Sequence, residues 1–139
     1  MQIAKLTIVI ALVFWGFGIT QAYAQLYIST EKRIDAFWSS TKEDWIVISE
    51  EATPTLFKFN EKMTMFEHTT TNISSTYYIK DYTYDEDNEE YHLNITSDVG
   101  NVYLMVIDIN DNNLRFLYEK NGISYAVQHN IKSSWKEEE

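Results

Sequence analysis

The chain contains no cysteine. Disulfide bonds, which often stabilise small exported domains, are therefore excluded. A lipid-modified N-terminal cysteine and a cysteine nucleophile are excluded for the same reason. The stability of the fold must come from side-chain packing and hydrogen bonds.

Basic residues are scarce. The sequence has 11 Lys and Arg against 21 Asp and Glu, which gives a formal net charge of −10 with neutral histidines. Such an excess of negative charge repels phosphate groups, so we expect no binding to nucleic acids and no adhesion to anionic membranes. The same charge favours solubility and allows basic proteins or cations as partners.

Long apolar segments are missing except at the N-terminus. Residues 6–20 are almost continuously apolar, with Lys5 before them and a small-x-small triplet at residues 22–24. This order is typical of a secretory signal peptide, so we predict a signal peptide at 1–24 and a single β-domain at 25–139. No other segment approaches the roughly 18 apolar residues that a membrane span needs. We therefore expect a secreted or periplasmic protein with no membrane anchor after cleavage.

In the rest of the chain, hydrophobicity alternates with a period of two, which is typical of half-buried strands. Tyr91, Leu93 and Ile95, for example, alternate with polar residues. Asn121-Gly122 between two such runs is a strong hairpin signal, because both turn positions need a positive φ. Residues 102–109 are apolar at both parities, which indicates a strand covered on both faces or one lining a filled barrel.

These patterns predict a series of strands with short connections, and short connections favour antiparallel neighbours. A further element at 31–39 is either another strand or, over residues 31–38, a short helix that plugs one end. The predicted fold is all-β: an antiparallel meander of about eight strands, curved or closed as a small lipocalin-like up-and-down barrel, with a two-sheet β-sandwich as the alternative. The predicted strands are 45–50, 55–60, 63–69, 76–84, 90–97, 101–109, 113–119 and 123–130.

This layout resembles lipocalin-like barrels in architecture only. The Gly-x-Trp signature that the lipocalin family carries near its first strand is absent, since neither Trp38 nor Trp45 has a glycine two positions before it. The resemblance therefore implies a barrel and no family membership.

No pattern of residues predicts catalysis. The Gly-x-Ser-x-Gly elbow of serine hydrolases is absent. Acidic residues are plentiful enough for a paired-carboxylate hydrolase, but nothing in the sequence selects a pair. We therefore name no catalytic residue.

Metal-binding patterns are equally weak, so we predict no metal and no cofactor. Asp108, Asn110, Asn112 and Glu119 match ligand positions of a calcium loop, but Asn113 stands where that loop requires glycine. The acidic segment 85–90 is typical of a solvated turn.

The three histidines lack the spacing of zinc ligands on one strand. By strand parity, His129 shares a face with Tyr125 and Val127, and His68 shares the parity of Phe66. His92 falls on the polar parity of its strand. We therefore predict no zinc site.

The most suggestive cluster is aromatic. Tyr78, Tyr82 and Tyr84 fall on one parity of the strand 76–84, while Tyr77 and Ile79 fall on the other. A tyrosine ring combines apolar area with a hydroxyl group, which suits sugars, peptides and amphipathic molecules. We predict that Tyr78, Tyr82 and Tyr84 form a ligand-binding stripe.

Three functions from different classes remain open. The first is an exported, non-catalytic β-domain that binds a small molecule, glycan or peptide. The second is an acidic protein-interaction module, such as an inhibitor or accessory subunit. The third is a hydrolase with an unrecognised carboxylate pair. The identity of the small-molecule or protein partner is not encoded in any pattern that we find.

Overall fold

The computed structural model describes residues 24–138, and all of the regular structure in this range is β-strand. The predicted signal peptide lies outside these residues apart from Ala24, and it stays a prediction. The strands are β1 (Ala24–Ser39), β2 (Asp44–Glu51), β3 (Thr55–Phe59), β4 (Met65–Thr69), β5 (Ser74–Asp85), β6 (Glu90–Ser97), β7 (Val102–Asp108), β8 (Asn113–Lys120) and β9 (Ile123–Glu138).

β1 is the strand on which the barrel closes. It pairs with β9 along most of its length and with β3 through residues 26–30. Strands β3 to β9 follow as consecutive antiparallel neighbours, so β1 and β3–β9 form a closed eight-stranded barrel. This confirms the predicted all-β up-and-down barrel, and the sandwich alternative does not apply.

β2 is an additional strand outside the closed barrel. It pairs with residues 33–39 of β1, and among the described strands it has no partner on its other edge. The predicted strand at 45–50 is confirmed, but its placement as a neighbour of the following strand was wrong, because β2 does not pair with β3. The chain instead returns from β2 to the first half of β1, where β3 takes the position beside it.

Two further details of the prediction need correction. Residues 31–38 belong to β1, so the helical alternative is wrong: the two edges of this part of the strand pair with β9 and β2. β9 continues to Glu138 and does not end near residue 130, because the early residues of β1 provide a partner strand for it.

The predicted hairpin at Asn121-Gly122 is confirmed. Lys120 and Ile123 pair across the turn, and Asn121 and Gly122 have φ values of 54° and 80°. Both residues lie in the left-handed region that two-residue hairpin turns require.

The barrel interior is filled with apolar side chains at one end. The inward positions of β6 and β7 interdigitate there, and residues 105–109 are buried at both parities, in agreement with the predicted covered strand. The buried core comprises Leu26, Ile28, Phe57, Phe59, Met63, Phe66, Ile79, Tyr91, Leu93, Ile95, Met105, Ile107, Ile109, Leu114, Phe116 and Ile131. Within residues 24–138, no helix is long and apolar enough to cross a membrane.

Candidate ligand-binding cavity

A cavity of about 620 Å³ lies in the barrel beyond the filled core. Its walls come from inward positions of six strands: Arg33 (β1), His68 (β4), Tyr77 (β5), Tyr103 (β7), Phe116 and Tyr118 (β8), and Val127 and His129 (β9). The register explains why they converge. Arg33 pairs with His129, and Phe116 pairs with Val127, and directly opposed residues share a face of the sheet.

The side of the cavity next to the core carries a pair of histidines, His68 and His129. Their ring centroids lie 5.6 Å apart and the rings are nearly perpendicular, at 78°. Phe57 stacks on His68 at 4.9 Å and meets His129 edge-on at 5.2 Å. The histidine pair is therefore held by aromatic contacts.

Each histidine of the pair has a buried nitrogen without a hydrogen-bond partner among the described residues: Nε2 of His68 and Nδ1 of His129. His129 is 1% exposed. A buried polar atom left unpaired costs about 1–3 kcal/mol. Such atoms are rare in folded proteins and call for an explanation.

Both histidines are neutral at physiological pH. Burial, together with a smaller effect of the nearby Arg33 guanidinium, lowers the pKa of His68 to about 4. Burial also lowers the pKa of His129 to about 3, with smaller contributions from His68 and Arg33 that outweigh the opposing effect of Asp35. Each neutral imidazole offers one donor and one acceptor.

The positive charge of Arg33 is matched within the same wall. Its Nε donates to Asp35 Oδ1 at 2.8 Å and its Nη2 donates to Asp35 Oδ2 at 3.1 Å. This two-point contact raises the pKa of Arg33, and the negative charge of Glu51 adds to the effect. The Arg33–Asp35 pair therefore presents no net charge to the cavity.

Tyrosines form a further part of the wall, which adjoins His68 through Tyr77 at 6.1 Å between ring centroids. Tyr103 meets Tyr77 at 6.0 Å and Tyr118 at 5.5 Å, in both cases edge-to-face. Tyr118 also stacks on Tyr125 at 5.2 Å, which continues the aromatic surface past the cavity. Burial raises the pKa of Tyr77 and of Tyr118, so these hydroxyl groups stay protonated.

The predicted tyrosine stripe does not have the predicted geometry. A β-bulge between Ile79 and Asp81 interrupts the alternation of β5. Tyr78 pairs with Thr96 and is 52% exposed, whereas Tyr82 and Tyr84 pair with the core residues Leu93 and Tyr91. The bulge places Tyr82 and Tyr84 on the other face from Tyr78, because one extra residue reverses the parity that follows it.

None of these three tyrosines is among the residues that line the cavity. Tyr84 packs against Tyr91 with ring centroids 4.5 Å apart, and Tyr82 is 39% exposed. Their role in ligand binding stays a prediction, without the shared surface on which it was based.

In the acidic segments, the carboxylates of Asp85 and Asp108 accept hydrogen bonds from nearby residues. The Asp85 carboxylate accepts from the backbone N–H groups of Asp87 and Asn88, which form a tight turn. Asp108, the first residue of the calcium-like pattern, accepts from Asp111 N–H at 3.0 Å and from Arg115 at 3.1 Å.

Potential ligand atoms of Asp85, Glu90 and His92 lie within 4.8 Å of one another. The Glu90 carboxylate already contacts His92 at 3.0 Å and Arg115 at 3.4 Å. This grouping is explained as an ion-pair network on the outer face of the barrel.

The sequence contained part of the signal for the cavity. Parity grouped His129 with Val127 and His68 with Phe66, which are cavity and core residues in the structure. Parity within single strands could not show that β4 and β9 bring the two rings together, since β3 and β1 lie between these strands in the sheet.

Comparisons with protein-family models, with curated proteins and with solved structures found no match to this chain.

Proposed function

We propose that this protein is an exported, non-catalytic β-barrel that binds a small amphipathic molecule in the cavity beside His68 and His129. The observation that carries the proposal is a cavity of about 620 Å³ lined by His68 and His129, each of which also has a buried nitrogen without a described hydrogen-bond partner. Export rests on the N-terminal sequence pattern described above.

The size and composition of the cavity support this proposal. Small-molecule sites commonly have volumes of about 300–1,000 Å³, with mainly apolar and aromatic walls and a few polar groups that orient the ligand. Tyr77, Tyr103 and Phe116 provide aromatic area, and the histidines provide polar groups at one side. A planar molecule with one polar end fits this distribution.

The experiment is a fluorescence titration of the purified protein with N-phenyl-1-naphthylamine, a neutral amphipathic dye that brightens in apolar sites. We expect saturable binding by the unmodified protein. A Val127→Trp substitution places a large side chain in the cavity, and we expect it to weaken binding at least about tenfold, because the dye and the indole compete for one volume.

Val99→Trp is the matched control, because Val99 lies in the β6–β7 turn and is 78% exposed. It adds the same indole outside the cavity and should leave binding unchanged. Equal weakening by both substitutions, or absence of saturable binding in the unmodified protein, would contradict the proposal. Circular dichroism of each variant establishes that the barrel is intact.

A second candidate function is the protein-interaction module, and the edge of β2 favours it. Trp45, Val47 and Ile48 of this strand are 41%, 58% and 56% exposed. An unpaired strand edge can add a strand from another chain. Asp44 and Glu51 at the two ends of β2 favour a basic extended segment as the partner strand.

The hydrolase hypothesis gains no support from the cavity. Among the described residues that line it, Glu119 is the one acid. The Asp35 carboxylate nearby is held by two hydrogen bonds from Arg33. A hydrolase with a carboxylate pair elsewhere stays a prediction.

A further inference from the structure

We infer that the cavity selects uncharged, planar ligands that carry a hydroxyl or similar group able to both donate and accept a hydrogen bond, and that His68 and His129 bind this group. The inference rests on the proposed function and names the chemical class of its ligand. It follows from three properties of the cavity: the balance of charges in its wall, the hydrogen-bonding capacity of the neutral histidines, and the arrangement of the aromatic rings.

Charge balance disfavours ionic ligands. Arg33 and Lys120 are the positive groups that line the cavity and Glu119 is the negative one, and both oxygens of Asp35 already accept from Arg33. A ligand carboxylate near Arg33 would also meet the Asp35 carboxylate, and removal of its water shell would not be offset. A ligand cation near the histidines would meet the guanidinium of Arg33, which already disfavours a proton on either ring.

The histidines require a ligand group with both donor and acceptor capacity. A neutral imidazole has one N–H donor and one bare acceptor nitrogen. Nε2 of His68 and Nδ1 of His129 are both unpaired, and the two rings are in edge-to-face contact with centroids 5.6 Å apart, so one small group on the cavity side of the pair can reach both rings. A hydroxyl group can donate to one ring while it accepts from the other.

The buried position of these nitrogens is compatible with this role. Both residues line the cavity, although the two atoms themselves have no contact with solvent. A half-turn of an imidazole about its Cβ–Cγ bond moves each nitrogen to the opposite edge of the ring while the ring plane stays in place. The stacking of Phe57 on His68 is therefore preserved when the nitrogen turns.

The aromatic wall favours a planar ligand. Tyr103 contacts Tyr77, Phe116 and Tyr118 edge-to-face, so these rings form one aromatic surface of the cavity, and this surface adjoins His68 through Tyr77 and Phe116. Flat rings pack on such a wall by offset stacking or edge contacts. The polar group of the ligand then lies against the histidines and its ring against the tyrosines.

The test is a calorimetric titration of the purified protein with four molecules on one scaffold: 2-naphthol, naphthalene, 2-naphthoate and 2-naphthylmethylammonium. We expect 2-naphthol to bind at least about tenfold more tightly than naphthalene, and both ions to bind more weakly than naphthalene. In a His68→Phe/His129→Phe variant, the advantage of 2-naphthol over naphthalene should fall to less than about twofold, because phenylalanine keeps the ring and removes the nitrogens.

The unmodified protein and this variant distinguish failure of the inference from failure of the proposed function. If 2-naphthoate or the ammonium ion binds most tightly, or if 2-naphthol keeps its advantage in the double variant, the inference is overturned while the cavity remains a binding site. If neither these molecules nor N-phenyl-1-naphthylamine bind, the proposed function is overturned together with the inference. Naphthalene binding that survives the double substitution shows that the variant is folded.

Discussion

His129 is the residue at which burial has its largest chemical consequence. It is 1% exposed, its Nδ1 has no described partner, and it faces Arg33 across the β1–β9 pair. Neutrality is the only state compatible with this position at physiological pH. The same is true of His68. We therefore expect the stability of the barrel to decrease at acidic pH because of these two histidines.

We expect the free energy of unfolding to fall as the pH is lowered from about 6.5 to about 4.5, by roughly 1–2 kcal/mol per histidine. The folded pKa values, about 4 for His68 and about 3 for His129, lie below the ordinary value of 6.5. The unfolded chain therefore binds more protons in this window, and linkage makes stability decrease as pH falls. Urea unfolding at a series of pH values measures the effect.

The His68→Phe/His129→Phe variant should show a shallower pH dependence than the unmodified protein. Carboxylate titration is common to both proteins and cancels in the comparison. His92→Phe removes a histidine from the outer face of the barrel and is the matched control, which should keep the steeper dependence. Identical pH profiles for the unmodified protein and the double variant would show that the pair is not buried and neutral.

At the scale of the element, β2 differs from the barrel strands. Seven of its eight residues are exposed, and its outer edge has no described partner. Since the barrel closes through β1, β3 and β9, changes on the far edge of β2 should leave the barrel intact. This makes β2 a suitable place to test the second candidate function.

If β2 accepts a basic strand, a synthetic peptide of alternating lysine and valine should bind the protein at low salt. We expect Asp44→Lys/Glu51→Lys to weaken this binding about tenfold, because it removes the charges at the ends of the edge. Glu86→Lys/Asp87→Lys makes the same charge change in the β5–β6 turn and should have less than a twofold effect. Fluorescence anisotropy of the labelled peptide measures both.

If both charge variants lose peptide binding equally, the peptide is attracted by net charge alone, and this result would contradict strand addition at β2. Retention of binding in Asp44→Lys/Glu51→Lys would contradict it as well.

The elements that the sequence predicted are those controlled by local rules. Asn121-Gly122 specified its hairpin because a two-residue turn needs positive φ at both positions. The bulge in β5 was not predictable from alternation, since an extra residue at Lys80 keeps the strand extended and only reverses the side-chain faces after it. The position of β2 was missed because pairing of β3 with β1 is a contact between distant parts of the sequence.

At the scale of the whole molecule, the barrel has a filled part and a hollow part. Large apolar residues from all eight barrel strands occupy the first, and aromatic and polar residues of β1, β4, β5, β7, β8 and β9 line the second. Without disulfides, the closed hydrogen-bonded sheet and the packed core must hold the cavity walls in place. The cavity itself could not be predicted, because it depends on which inward side chains reach each other across the closed barrel.

The central claim is that a small molecule binds inside the hollow part of the barrel. The most direct measurement is a ¹H–¹⁵N NMR titration of the isotope-labelled protein with 2-naphthol. We expect saturable shifts at the amides of His68, Phe116 and Val127, and little change at Ile107 in the filled part or at Tyr78 on the outer face. Shifts centred on Tyr78, or none that saturate, would contradict the account.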